Sequence, residues 1–183
     1  MSFIVEMAQS LSSKLHDPFH HQFHHPRKTM GFTDLALVSP SDARVLRRHK
    51  VVQRSSGAHD VLDRATVHPT LGRAVAGCDV VCGTGMPHDM SKVRTARSYV
   101  EPRVYFEKLV REASDKEEVV KLAVVLGSER TGLLDEEMDT CDVMLGIPTD
   151  PRFGSLNVAG AVQLLAYDLR MAMGGKDSYA DES

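Results

Sequence analysis

The stretch that decides the fold is Leu122-Ala123-Val124-Val125-Leu126-Gly127-Ser128-Glu129-Arg130-Thr131-Gly132, followed after a short acidic segment by Val143-Met144-Leu145-Gly146-Ile147-Pro148. Each part opens on an apolar run and stops abruptly at glycine or proline. Runs this short and this apolar read as strands covered on both faces, the pattern of a parallel sheet. Between them Asp135, Glu136 and Glu137 open a short helix, where negative charge suits the helix dipole. Its apolar face is expected to be Leu134, Met138 and Cys141. Beyond the second run, Val158, Val162, Leu165 and Leu169 fall on one face of a final helix that ends at Gly174-Gly175.

The same alternation extends toward the N-terminus. Leu35 to Val38 reads as a strand closed by Ser39-Pro40, and Ala65 to His68 as another. Thr70 stands where a helix cap belongs, before Leu71, Ala74 and Val75. Asp79 to Cys82 reads as a strand running into a glycine-rich turn, Gly83-Thr84-Gly85. Phe106, Leu109, Val110 and Ala113 then take helical spacing. Strands alternating with helices through short loops predict an α/β domain with a mainly parallel sheet.

Three loops therefore follow three apolar strands: the one at Gly83-Thr84-Gly85-Met86, the one at Gly127 to Gly132, and Pro148 to Asn157. In an open α/β sheet, ligands collect outside the carboxyl ends of the strands. Glycine there lets backbone N–H and C=O groups approach a ligand closely. Neither glycine loop fits a phosphate-binding motif, because there is no G-x-x-x-x-G-K-[ST] and Gly83-x-Gly85 lacks the third glycine. A phosphate-rich cofactor is disfavoured. Ser155 and Asn157 are helix caps, ligand contacts, or both.

Composition bounds the rest. The chain has 183 residues, 42% apolar and 26% charged, with a net charge of −3. That is one ordinary domain with no general pull toward polyanions. A local pull exists at Arg44, Arg47, Arg48, Lys50 and Arg54, which reads either as a solvated face or as a phosphate-contacting patch. Cys78, Cys82 and Cys141 are too few and badly spaced for disulfides or zinc, and are expected to be small buried residues. No apolar run reaches membrane-spanning length, and Met1 to Gln9 lacks the basic lead-in of a secretory leader. A cytoplasmic protein is expected, an organelle being left open.

The run Val125 to Leu133, then Ile147-Pro148-Thr149 through Gly154-Ser155-Leu156-Asn157-Val158-Ala159, resembles two motifs of the SPOUT-class RNA methyltransferases. The likeness is greatest to the TrmH-like branch that methylates ribose 2′-hydroxyls of the tRNA anticodon loop. It continues through Ala161 to Arg170, and more weakly back to Lys28. The resemblance implies an α/β, SPOUT-like fold with a C-terminal trefoil knot, a homodimer, S-adenosyl-L-methionine as cofactor, and RNA, specifically tRNA, as substrate. It implies no metal and no membrane. Carried over residue by residue, Thr84, Gly85, Met86, Gly127, Glu129, Ile147, Gly154, Ser155 and Leu156 hold the cofactor. Asn157 and Ser155 lie at the site of transfer.

One segment departs from the family pattern. Relatives carry an Asn and, six residues later, an Arg just before the stretch matched here by Lys28-Thr29-Met30-Gly31, and the Arg is taken to help activate the ribose hydroxyl. In this chain Phe19 and His25 occupy those places, within a histidine-rich run that holds five of the nine histidines. His25 can serve as a base in principle, since imidazole titrates near neutrality. His20 and His24 would share a helix face as metal ligands, without carboxylate partners nearby. Three regions follow: a divergent segment 1–27, a methyltransferase domain 28–175 and a polar tail 176–183. Two functions stay open, an active RNA 2′-O-ribose methyltransferase and a non-catalytic relative that keeps the cofactor and RNA sites.

Overall fold

In the computed structural model the described residues are 2–7, 30–32, 34–42, 44–49, 51, 59–85, 99–128, 131–150, 152 and 156–175. Their strands form one seven-stranded sheet. In chain order they are β1 (Ser2–Met7), β2 (Asp34–Val38), β3 (Thr66–His68), β4 (Val80–Gly85), β5 (Tyr99–Val100), β6 (Leu122–Leu126) and β7 (Val143–Gly146), and they lie side by side in the order β3-β2-β1-β6-β4-β7-β5. The helices are α1 (His59–Arg64), α2 (Leu71–Ala74), α3 (Pro102–Asp115), α4 (Asp135–Asp139) and α5 (Val158–Ala172). The α/β architecture expected from the sequence is present.

Central β6 shows why the sequence folds this way. All five of its residues are buried, and alternation divides them between two cores. Ala123 and Val125 join Leu71, Ala74 and Met138 from α2 and α4 on one face. Leu122, Val124 and Leu126 join Phe106 of α3 with Leu165, Ala166 and Leu169 of α5 on the other. Each fully buried valine or leucine contributes on the order of 1.5–3 kcal/mol. Covered faces on both sides explain the continuous apolar runs.

The pairing β4–β6, β4–β7, β5–β7 and β2–β3 is parallel. β1 is the exception, antiparallel to both β2 and β6, with Phe3 opposite Leu37 and Leu126. Phe3-Ile4-Val5-Glu6 thus is a strand inside the sheet. Its direction makes β2 and β6 run the same way, so their carboxyl ends share one edge with those of β4, β7 and β5. β1 ends, and β2 begins, at the opposite edge.

Two local expectations are corrected. Gly83-Thr84-Gly85 is not a turn but the last half of β4, paired to β7 as Gly83–Met144, Thr84–Leu145 and Gly85–Gly146. Glycine is needed there for packing: a Cβ on Gly83 would sit 2.6 Å from Met144 Sδ and 2.8 Å from Cys141 Sγ. Leu134 does not join the apolar face of α4. It precedes the helix, 57% exposed, and its backbone N–H donates to the Glu137 carboxylate at 2.8 Å, which satisfies a free helix-end donor. Met138 and Cys141 are buried as expected. Thr70 takes the cap position of α2, but its side chain makes no capping hydrogen bond.

Candidate functional site

The order β6-β4-β7 brings three strand ends together, and glycine sits at each: Gly127 just after β6, Gly85 at the end of β4 and Gly146 at the end of β7. Gly85 and Gly146 are register partners on adjacent strands. The centre of this edge is therefore formed by main chain more than by side chains, with Gly146 buried and Gly85 and Gly127 partly buried. The expected residues Thr84, Gly85, Gly127 and Ile147 meet here.

Thr84 does something more specific than line the edge. Its hydroxyl donates to the Val125 carbonyl at 3.0 Å, tying β4 to β6 just below the edge. The side chain therefore serves the fold. Ile147 is half-buried against the α3–α5 core, and Leu156, at the far end of the third loop, is exposed. Met86, Glu129, Gly154 and Ser155 lie outside the described residues.

The loop after β6 is unusually tight. Ser128 N–H donates to the Gly132 carbonyl at 3.2 Å and Gly132 N–H returns to the Ser128 carbonyl at 2.9 Å. Thr131 N–H donates to Ser128 Oγ at 3.1 Å, and the two hydroxyls lie 2.8 Å apart. A Cβ on Gly127 would fall 2.0 Å from Gly132 C and 2.2 Å from Leu133 N, inside the returning limb. Gly132 itself has φ +66, a conformation that costs other residues energy. Both glycines are required by this closure.

Asn157 caps α5: its Oδ1 accepts from Gly160 N–H at 2.7 Å. This bond uses the oxygen and leaves the two Nδ2 hydrogens as donors at the end of the third loop. One residue can thus cap and contact. Earlier in that loop Arg152 and Asp150 form a compact pair, with Arg152 N–H, Nε and Nη2 reaching the carboxylate at 2.8, 3.2 and 2.9 Å. The arginine holds the Asp150 carboxyl below the ordinary carboxylate range.

Beneath the site lies a buried thiol. Cys82 is fully buried against the Tyr105 hydroxyl, and desolvation pushes its pKa up, with nearby Cys141 and Asp142 adding to the shift. It is packing, not a nucleophile. None of the three cysteines forms a disulfide, and Cys78 is only half-buried. Among the described residues no cluster of three His, Cys, Asp or Glu could hold a metal, and no helix is long and apolar enough to cross a membrane. His20, His24 and His25 lie outside the described residues.

The segment that carries the arginine cluster leaves β2 at the same sheet edge, and its Val45 and Leu46 pack back on Leu35 and Leu37. Following β2, Arg44 N–H and Arg48 Nε both donate to the Asp42 carboxylate, at 2.9 and 2.6 Å. Arg44, Arg47 and Arg48 are exposed; Lys50 and Arg54 lie outside the described residues. From β2 to β6 is two strand spacings, about 10 Å along the edge. Sequence reading grouped these arginines but had no way to show that their segment leaves the sheet on the side of the glycine loops, since that depends on β1 separating two strands of equal direction.

Comparison with known proteins agrees with this geometry. The tRNA (cytidine/uridine-2′-O-)-methyltransferase TrmJ of Photorhabdus laumondii is 43% identical over 146 residues, covering 79% of this chain and 56% of its own length. A crystallised protein from Bordetella pertussis, described as a probable methyltransferase, aligns at TM-score 0.70 and 37% identity, covering 81% of this chain and 84% of that one. TrmJ from Z. mobilis aligns at TM-score 0.66 and 29% identity, covering 84% and 63%. The chain spans little more than half the length of the curated relatives it matches. The family model described as SpoU rRNA Methylase matches residues 27–167, so the chain belongs to the SpoU rRNA methylase family.

Proposed function

We propose that this chain is an S-adenosyl-L-methionine-dependent tRNA 2′-O-ribose methyltransferase. The observation that carries the reading is the convergence of three glycine-ended strands at one edge, in a chain whose relatives are tRNA 2′-O-methyltransferases. Strand ends that present main chain at glycine suit the adenosine part of that cofactor, which offers planar and hydroxylated surfaces and no phosphate. When bound, the cofactor supplies an electrophilic methyl group.

The chain's own residues then have positioning work to do. Gly85, Gly127 and Ile147, with Thr84 through its backbone and Met86, Glu129, Gly154, Ser155 and Leu156 by family position, hold the cofactor. Asn157, through its Nδ2 hydrogens, and Ser155 orient the ribose hydroxyl. The exposed arginines after β2 belong to a segment that leaves the sheet at the same edge, and they offer a track for RNA phosphates. Charge reversal at Arg44 and Arg47 is expected to weaken tRNA binding and flatten its salt dependence; unchanged affinity and slope would remove this track from the account.

Two further features belong to the reading. β7 lies between β4 and β5, which are already joined through residues 86–98, and this order supports a trefoil knot. Leu164, Tyr167 and Met171 form an exposed apolar stripe along α5, which supports a homodimer closed on that helix. Sedimentation should give twice the chain mass, and Leu164→Glu should halve it. A cytoplasmic location suits the substrate.

A second reading, a non-catalytic relative, is favoured by two observations. The family match starts at residue 27, leaving Phe19 and His25 outside it. β1 ends and β2 begins at the edge opposite the glycine loops. Transfer of labelled methyl from the cofactor to unmodified tRNA separates the two readings. Transfer supports the enzyme; tight cofactor binding without transfer supports the relative.

A further inference from the structure

The Asp150–Arg152 pair shapes its own loop but ties no helix or strand to another, and that points to a ligand. Among the described residues two other arginines close on a carboxylate through Nε and Nη2: Arg103 on Asp168, which joins α3 to α5 across 65 residues with its carboxylate only 14% exposed, and Arg48 on Asp42 in the segment after β2. Arg152 and Asp150 are two residues apart in one loop, 90% and 51% exposed, and tie no element to another. Yet three donors of Arg152 converge on one carboxylate. The fork uses Nε–H and one Nη2 hydrogen, and arginine carries five N–H donors in a fixed plane. The Nη1–Nη2 edge therefore remains open, turned rigidly away from Asp150, in the loop that leads from Gly146 to Asn157.

We propose that Asp150 presents Arg152 as a bidentate reader of an RNA phosphodiester next to the methylated ribose, with Asp150 as a positioning residue. The inference rests on the tRNA reading given above. A guanidinium edge matches two phosphate oxygens in geometry, and an arginine already held in place loses less freedom on binding than a free one. The carboxylate cancels the charge of Arg152, so its contribution lies in direction more than in long-range attraction.

This gives a test with opposite signs. Asp150→Asn removes one negative charge, which by electrostatics alone tightens RNA binding; loss of presentation weakens it. The full chain is titrated with unmodified tRNA over a range of KCl, with cofactor affinity measured in parallel by calorimetry. Arg152→Ala should weaken tRNA binding about tenfold to a hundredfold and reduce the salt slope by about 0.7, leaving cofactor affinity unchanged. Asp150→Asn should also weaken tRNA binding, and Arg152→Lys, which keeps the charge without the fork, should restore only part of the loss. Arg152→Ala indistinguishable from wild type overturns the proposal, as does tighter binding by Asp150→Asn. A wild-type chain that binds cofactor but no tRNA at any salt overturns the tRNA reading and this inference with it, whereas wild-type transfer with an indifferent Arg152→Ala overturns the inference alone.

Discussion

Replacing Gly127 by alanine adds one methyl group and should open the loop after β6. The new Cβ would lie 2.0 Å from Gly132 C, 2.2 Å from Leu133 N and 2.5 Å from the Gly132 carbonyl oxygen, all backbone atoms that cannot rotate aside. Relief requires parting the two limbs, which breaks the paired bonds between Ser128 and Gly132 at 3.2 and 2.9 Å. At about 0.5–1.5 kcal/mol each, their loss amounts to roughly 1–3 kcal/mol. If cofactor binding needs the closed loop, the same free energy appears as about fivefold to 150-fold weaker binding. Calorimetric titration of Gly127→Ala with S-adenosylmethionine measures this directly, and urea unfolding reports the stability change. Gly132→Ala is the control: its Cβ meets open space, so only the φ of +66 is penalised, at about 1–2 kcal/mol. Gly127→Ala that binds cofactor like wild type, with an unchanged urea midpoint, would refute the closure argument.

Three other outcomes follow from the same geometry. Asn157→Ala should cost about 0.5–2 kcal/mol through the lost cap, whereas Asn157→Asp keeps the acceptor oxygen and the stability but removes the Nδ2 donors, so its methyl transfer should fall without destabilisation; normal transfer by the Asp variant removes Asn157 from the site. Leu165→Ala, at a wholly buried position between α5 and the sheet, should destabilise by about 2–5 kcal/mol in urea unfolding, and a loss under about 1 kcal/mol would mean the α5 core is misplaced. Burial raises the pKa of both the Cys82 thiol and the Tyr105 hydroxyl; the Cys82 charge raises Tyr105 further, whereas the hydrogen bond from Tyr105 partly offsets the shift of Cys82. The unfolded chain therefore loses these protons first, and stability, full below about pH 8.5, should decline as pH rises, less so in Cys82→Ala; a flat urea midpoint from pH 7.5 to 10.5 would contradict that burial.

Much of the sheet was legible because buried parallel strands leave an unmistakable pattern. Leu122 to Leu126 and Val143 to Ile147 announce themselves by apolar residues on both faces, and their ends by glycine and proline. Gly83-Thr84-Gly85 misled for a physical reason: glycine signals a turn, but here it makes room for the Met144 and Cys141 sulfurs inside a strand. Leu134 misled because helical spacing assigns a face without saying where the helix starts. Strand order was not legible. Nothing local in the sequence records that β7 pairs between β4 and β5, or that β1 runs against both neighbours, and those two facts bring the end of β2 and the glycine-ended strands to one edge. The Asp150–Arg152 fork was equally silent, since it depends on loop conformation rather than periodicity.

The central claim is that the glycine-ended strand edge holds a methyl donor for a tRNA ribose. Its most direct measurement is incubation of the full chain with methyl-labelled S-adenosylmethionine and unmodified tRNA, followed by digestion to nucleosides. The account predicts label on ribose as a 2′-O-methyl nucleoside, reduced in Gly127→Ala and in Asn157→Asp. Label on a base, or firm cofactor binding with no label in RNA, would contradict it.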